Sequence, residues 1–88
     1  MAAIRKLTDN FIATRVDDEL LIVDLDGGEL FSLRGTARSV WNAIDGMRDE
    51  IAIAGKMSDE HEGDPARIAI EVATLLGELE DAALIARE

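Results

Sequence analysis

The stretch "DLDGGELFSLRGTARSVW", residues 24–41, decides how this chain folds. It passes from an apolar run through Asp26-Gly27-Gly28 into a second run, "ELFSL", and after Gly35 takes on the apolar spacing of a helix that carries the only tryptophan. Asp-Gly pairs tolerate the positive φ angles of a tight turn between antiparallel strands, so the turn needs no functional explanation. Toward the N-terminus, "FIATRV" and "ELLIVDL" keep the strand-like rhythm on either side of Asp17-Asp18. Together the three runs predict a three-stranded meander from Phe11 to Leu33. Toward the C-terminus, Val40, Trp41 and Ile44 share one helical face that Asp45-Gly46 can close, with Trp41 as a core anchor.

A second, weaker helix is expected from Asp49 to about Met57, with Gly55 inside it, followed by a polar connection, "SDEHEGDP". Asp64-Pro65 is the clearest helix start in the chain, because the Asp side chain can cap free N–H groups and proline lacks only a donor that would go unused. This helix should run to about Ala82, with Ile68, Val72, Leu75, Leu76 and Leu79 on its core face and Arg67, Glu71, Thr74 and Glu78 opposite. There is no internal repeat, low-complexity tract or linker. The fold class expected is α+β and winged-helix-like: an N-terminal three-stranded antiparallel sheet followed by three α-helices, one domain over residues 1–88.

Composition narrows the function. Eighty-eight residues bury a modest core but are too few for a two-lobed catalytic cleft. A net charge of −10 repels other polyanions, so nucleic acid and anionic membrane are not expected partners. Without cysteine there is no disulfide, no thiolate nucleophile and no cysteine-based metal site. The opening "MAAIRKLTDNF" lacks the apolar stretch of a signal peptide, and no run approaches the ~20 apolar residues of a membrane span, so a cytoplasmic location is expected.

Catalytic signals are weak. His61 stands alone in an acidic loop and reads as a solvated side chain, and Ser32, Ser39 and Ser58 have no second histidine to activate them. Asp24, Asp26 and Glu29 resemble a calcium loop only briefly, because Glu29 sits where the loop glycine belongs and Gly35 where the last glutamate belongs. No catalytic residue, metal site or cofactor is expected, and the chain is not read as an enzyme. What remains is recognition. The third strand can lie at the sheet edge with one row of backbone groups free for an extended peptide, or it can be covered by a terminal segment or by a second copy.

The run "ELLIVDLDGGELFSLRGTARSVWNAIDG", followed by "GDPARIAIEVATLLGELEDAALI", resembles the PqqD-like proteins, the recognition elements that bind leader peptides of ribosomally made natural products. The resemblance rests on a strand ending in Asp, a Gly-Glu turn, an aromatic-x-Leu strand, a Thr-Ala pair opening a helix with Val before Trp, an Asp-Gly close and a final Leu-x-x-Ala-x-Leu-Ile. Arg34 stands where the family often has Asn, and Ala83 where it often has Gly. The proline-containing segment of PqqD proper is missing before the first helix, which disfavours a pyrroloquinoline quinone role and leaves a lasso-type precursor as the leading guess for cargo.

The resemblance implies that a leader lies as a further antiparallel strand on the third strand, in a groove walled by the last helix. Candidate peptide-binding residues are then Glu29, Leu30, Phe31, Ser32, Leu33 and Arg34 on the strand side. On the helix they are Ala66, Ala69, Ile70, Ala73 and Gly77, a flank of mostly small residues that would allow close approach or, alternatively, tight helix-to-sheet packing. Glu29, Glu71 and Glu78 could meet basic residues of a leader or of a partner enzyme. The function so implied is an adaptor that captures a precursor's leader peptide and presents it to a maturation enzyme such as a leader peptidase. The alternatives are a winged-helix DNA-binding regulator, for which nine basic residues against nineteen acidic ones are too few, and a homodimerising structural subunit.

Overall fold

The computed structural model describes residues 2–88. Along the chain lie β1 (Ile4–Lys6), β2 (Phe11–Val16), β3 (Glu19–Asp24), β4 (Leu30–Leu33), α1 (Gly35–Ala43), α2 (Glu50–Glu60), α3 (Pro65–Asp81) and β5 (Ile85–Arg87). The expected α+β architecture is present, with β2, β3 and β4 forming the meander in that order and three helices following. A second sheet of two strands was not anticipated. It joins β1 antiparallel to β5, pairing Ile4 with Arg87 and Lys6 with Ile85, and three-residue strands are too short to show a period in sequence.

One core binds these parts. The inner face of the meander offers Ile22 and Leu33, α1 offers Val40, Trp41, Ala43 and Ile44, and α2 offers Ile53 and Met57. The α3 stripe is Ile68, Val72, Leu76 and Leu79, spaced as a helix face must be, with Leu75 half-buried at its margin. Ile4, Leu84 and Ile85 are sealed into the same cluster, so the two-stranded sheet belongs to the core. Trp41 is buried as expected, with the Phe11 ring edge-on at 5.1 Å and the Lys6 ammonium 4.7 Å above its face.

Local chemistry explains the boundaries. In the β3–β4 turn the Asp26 N–H donates to Asp24 Oδ1 (3.0 Å) and the Gly28 N–H to the Asp24 carbonyl (2.8 Å). The two glycines serve different needs. Gly28 has φ +71°, while a Cβ on Gly27 would fall 2.8 Å from Asp24 Oδ2. Asp49 caps α2 by accepting from the Ala52 N–H (2.8 Å), and the helix continues past Met57 to Glu60, where Lys56 and Glu60 pair at 2.7 Å one turn apart. The polar connection therefore shrinks to residues 61–64. Asp64 and Pro65 open α3 as anticipated, the Asp64 carboxylate accepting from the Ala66 N–H at 3.0 Å.

Both departures from the family pattern have visible consequences. Arg34 precedes α1 but makes no side-chain cap; its guanidinium instead reaches Glu19 at 2.8 Å. At the end of α3 the Leu84 N–H bonds the Leu79 carbonyl and the Ala83 N–H the Glu80 carbonyl, each at 3.0 Å, which is the pattern of a Schellman close. Its left-handed residue is Ala83, at φ +59°. That conformation costs a residue with a Cβ about 1–2 kcal/mol, and glycine's greater freedom when unfolded takes back about 0.5–1 kcal/mol. Ala83→Gly should therefore stabilise the fold by about 0.5–1 kcal/mol, read as a rise of a few degrees in Tm.

Glu19 ties β4 to β3 from the solvent side, accepting from the Ser32 hydroxyl and from Arg34. The Ser32 hydrogen bond, and then that of Arg34, hold its carboxyl below the ordinary value of 4.5. A carboxyl lowered in the folded state adds stability that is complete above its unfolded pKa and is lost as pH falls through the folded one. An NMR titration should place the Glu19 midpoint below 4.5, and Ser32→Ala should move it back toward that value.

Candidate functional site

The free edge of the meander follows from one hydrogen bond and the alternation of an antiparallel ladder. The Asp24 N–H donates to the Glu29 carbonyl at 2.8 Å, which makes that pair hydrogen-bonded. Counting by twos along the register, Ile22–Phe31 and Leu20–Leu33 are bonded pairs, and Val23–Leu30 and Leu21–Ser32 are the intervening unbonded ones. The backbone N–H and C=O of Leu30 and Ser32 consequently point away from β3. On its other side β3 uses Leu21 and Val23 to bond β2, since the Leu25 N–H donates to the Asn10 carbonyl at 2.9 Å in the same alternation. No described strand pairs with the outer side of β4. The chain's own termini do not cover it, because β1 and β5 pair with one another.

Side chains on β4 divide by the same parity. Phe31 and Leu33 turn inward beside Ile22, while Leu30 and Ser32 turn to the outer face. Next to the edge, Glu29 and Phe31 line a cleft of about 270 Å³ with Glu78, Asp81 and Ala82 from the end of α3. Farther back along α3, Glu71, Val72 and Leu75 face Thr36, Ala37 and Val40 of α1 across a smaller, mostly apolar hollow of about 110 Å³. On α3, Glu71, Leu75, Glu78 and Ala82 succeed one another by four, three and four residues and form one stripe. The end of that stripe, Glu78 and Ala82, and β4 are the two walls of the larger cleft, while Glu71 and Leu75 face α1.

The structure brings only part of the candidate set together. Glu29 and Phe31 line the groove, Leu30 and Ser32 present its backbone edge, Leu33 is buried beneath it, and Arg34 stands exposed at its far end against Glu19. The helix flank is placed apart from these residues. Ala66, Ala69, Ile70, Ala73 and Gly77 lie on the other side of the Ile68–Val72–Leu76–Leu79 core stripe, line neither hollow, and include Ile70 at 67% exposed. Small side chains point to that flank in the sequence, whereas the side of α3 that meets β4 is set by how the core stripe is rotated. Leu75 was the available signal, an apolar residue at the margin of the buried stripe with Glu71, Glu78 and Ala82 above and below it.

His61 also differs from expectation. It is half-buried at the end of α2, with Nε2 enclosed and no hydrogen-bond partner, rather than freely solvated. It shares hollows with Arg38 and Ser39 on one side and Thr36 and Arg67 on the other, away from β4. Among the described residues no group of three or more His, Asp or Glu side chains is arranged to hold a metal ion. Six of the nine cations are paired elsewhere: Arg5 with Glu88, Arg34 with Glu19, Arg48 with Asp45, Lys56 with Glu60, Arg67 with Glu71, and Arg87 with Glu50 and Glu80. Glu29, Glu78 and Asp81 are left without an ion-pair partner among the described residues, all three lining the larger cleft. No described helix is long and apolar enough to cross a membrane.

Two solved structures share this fold. TbiB1 in complex with the TbiA(beta) leader peptide is 20% identical, with a TM-score of 0.77 over 91% of this chain and 93% of that one. Lasso peptide synthetase B1 complexed with the leader peptide is 18% identical, with a TM-score of 0.80 over 97% of this chain and 99% of that one. No curated protein matches the chain. The family model described as coenzyme PQQ synthesis protein D (PqqD) matches residues 19–85, which span β3, β4, all three helices and the start of β5, and the chain belongs to that family.

Proposed function

We propose that this protein is a non-catalytic adaptor that binds the leader segment of a ribosomally made precursor peptide as a fourth antiparallel strand on β4 and presents it to a maturation enzyme such as a leader peptidase. The observation that carries the reading is the outward-facing backbone of Leu30 and Ser32 at the mouth of a groove. An extended peptide there would gain main-chain hydrogen bonds for affinity and set alternate side chains into the groove for selectivity. The two solved structures of this fold, each a complex with a leader peptide, support the reading, and one being a lasso peptide synthetase B1 makes a lasso-type precursor the favoured cargo.

Presentation needs a second surface, and the outer face of the meander supplies a candidate. Ile12, Val23 and Leu30 stand opposite one another across the three strands and are 57%, 38% and 59% exposed, with Val16 and Leu25 exposed on the same face. This apolar row ends at the leader edge, where a docked enzyme would sit beside the bound peptide. Two copies of a chain carrying −10 would repel at such close range, which favours an enzyme over a homodimer. The same charge speaks against DNA.

Leader peptides encoded beside the gene should perturb the backbone amides of Leu30 and Ser32 together with residues 75–82 of α3. Ser32→Pro removes an N–H that β3 does not use, so circular dichroism should report an intact fold while leader affinity falls by at least about tenfold. Ile70→Ser, on the far flank of α3, should leave affinity unchanged. Unaltered binding by folded Ser32→Pro would rule out strand addition on β4.

A further inference from the structure

The two hollows along α3 differ in chemistry, and the direction of β4 orders them. A strand added antiparallel to β4 enters beside Leu33 and leaves beside Glu29. Its groove-facing residues are those opposite Leu33, Phe31 and Glu29, every second one, because paired residues share a face. Leu33 leads through Arg34 into α1, so the first of them lies toward the start of α1, where Thr36, Ala37 and Val40 meet Val72 and Leu75 in the hollow of about 110 Å³. Glu71, at its rim, is already met by Arg67 at 3.3 Å. The third arrives between Glu29, Glu78 and Asp81.

The distances agree. Four residues of strand advance about 13 Å, while the seven residues of α3 that separate Leu75 from Ala82 advance about 10 Å. We propose that the groove selects a leader segment in which an apolar side chain is followed four positions later by lysine or arginine. This rests on strand addition at β4 and adds what that edge recognises. Three carboxylates would not make a site by themselves. Here they line a cleft whose other wall is an unpaired strand edge, they flank the half-buried Phe31 ring, and none of the three has an ion-pair partner among the described residues. A guanidinium or ammonium entering the cleft relieves their mutual repulsion and can lay its methylenes against Phe31 and Ala82. An anionic residue at that position meets three like charges.

Spacing follows from the pleat. A basic residue three or five positions after the apolar one would point to the outer face, away from the carboxylates.

The test is selection of random 12-residue peptides by mRNA display on the full chain. Enriched sequences should share an apolar residue followed four positions later by Lys or Arg. Replacing that basic residue by Glu should weaken binding by about tenfold, a weakening that shrinks at high salt. Glu78 and Asp81 are exposed, so the double variant Glu78→Lys, Asp81→Lys should fold and enrich Asp or Glu at the same spacing. Glu78→Gln, Asp81→Asn should lose the preference without reversing it. Peptides that perturb the Leu30 and Ser32 amides yet show no basic preference at the fourth position would overturn the inference and leave strand addition standing, as would a charge-reversed variant that still selects Lys. A selection that yields no binder at β4 would overturn both.

Discussion

The constraint on which the rest depends is the hydrogen-bond phase of the β3–β4 ladder. Because the Asp24 N–H bonds the Glu29 carbonyl, Phe31 and Leu33 face β3 with their backbone groups and Leu30 and Ser32 face outward. The same parity sends the Phe31 and Leu33 side chains into the core and those of Leu30 and Ser32 to the outer face. A slip of one residue would exchange both sets at once. The Asp24 turn prevents the slip, since Gly27 has no room for a Cβ beside the Asp24 carboxylate and Gly28 takes a positive φ. Turn chemistry thus reaches the edge through register.

The helix on the other side of the groove is fixed by burial rather than by hydrogen bonds. Ile68, Val72, Leu76 and Leu79 set the rotation of α3, and the adjoining stripe then turns Glu71 and Leu75 to α1 and Glu78 and Ala82 to β4. The start and end of the helix hold this rotation. Asp64 and Pro65 fix the first turn, and the Ala83 close brings Leu84 back onto Leu79 and delivers Ile85 to the strand that pairs with β1. Strain at Ala83 is tolerated because Leu84 and Ile85 are fully enclosed, and each buried aliphatic side chain contributes about 1.5–3 kcal/mol, more than the left-handed residue costs.

Much of this was legible in the sequence where a long period or a specific turn residue carried it. The three meander strands, the start of α3 and the Trp41 anchor were read from alternation, from Asp-Gly and Asp-Pro, and from helical spacing. The two-stranded sheet was not, since Ile4–Lys6 and Ile85–Arg87 are too short for a pattern and pair across the whole chain. The last turn of α2 was missed because Ser58, Asp59 and Glu60 look like loop residues, although Lys56 and Glu60 meet one turn apart. On the strand side the sequence points to Glu29 and Phe31, which line the cleft, whereas on the helix side the residues that line it, Glu78, Asp81 and Ala82, are not the small-residue flank. Small residues at Ala69 and Ala73 suggested close approach, yet which flank of a helix meets a neighbouring strand is a property of packing, and one sequence gives only the flank's composition.

An open strand edge is also a liability, and its surroundings bear on both its safety and its use. β4 is only four residues long, its start is flanked by Glu29, and its outer face carries the Glu19, Ser32 and Arg34 cluster, so few backbone groups are exposed and they sit among charges. Pairing β4 with β4 of a second copy would bring two Glu29–Glu78–Asp81 clefts together in a chain already at −10. The repulsion that disfavours that pairing is the attraction that a basic peptide would feel. One arrangement of carboxylates therefore opposes self-association through the edge and biases the same edge toward an extended cationic strand, so protection and recognition need not be traded against each other here.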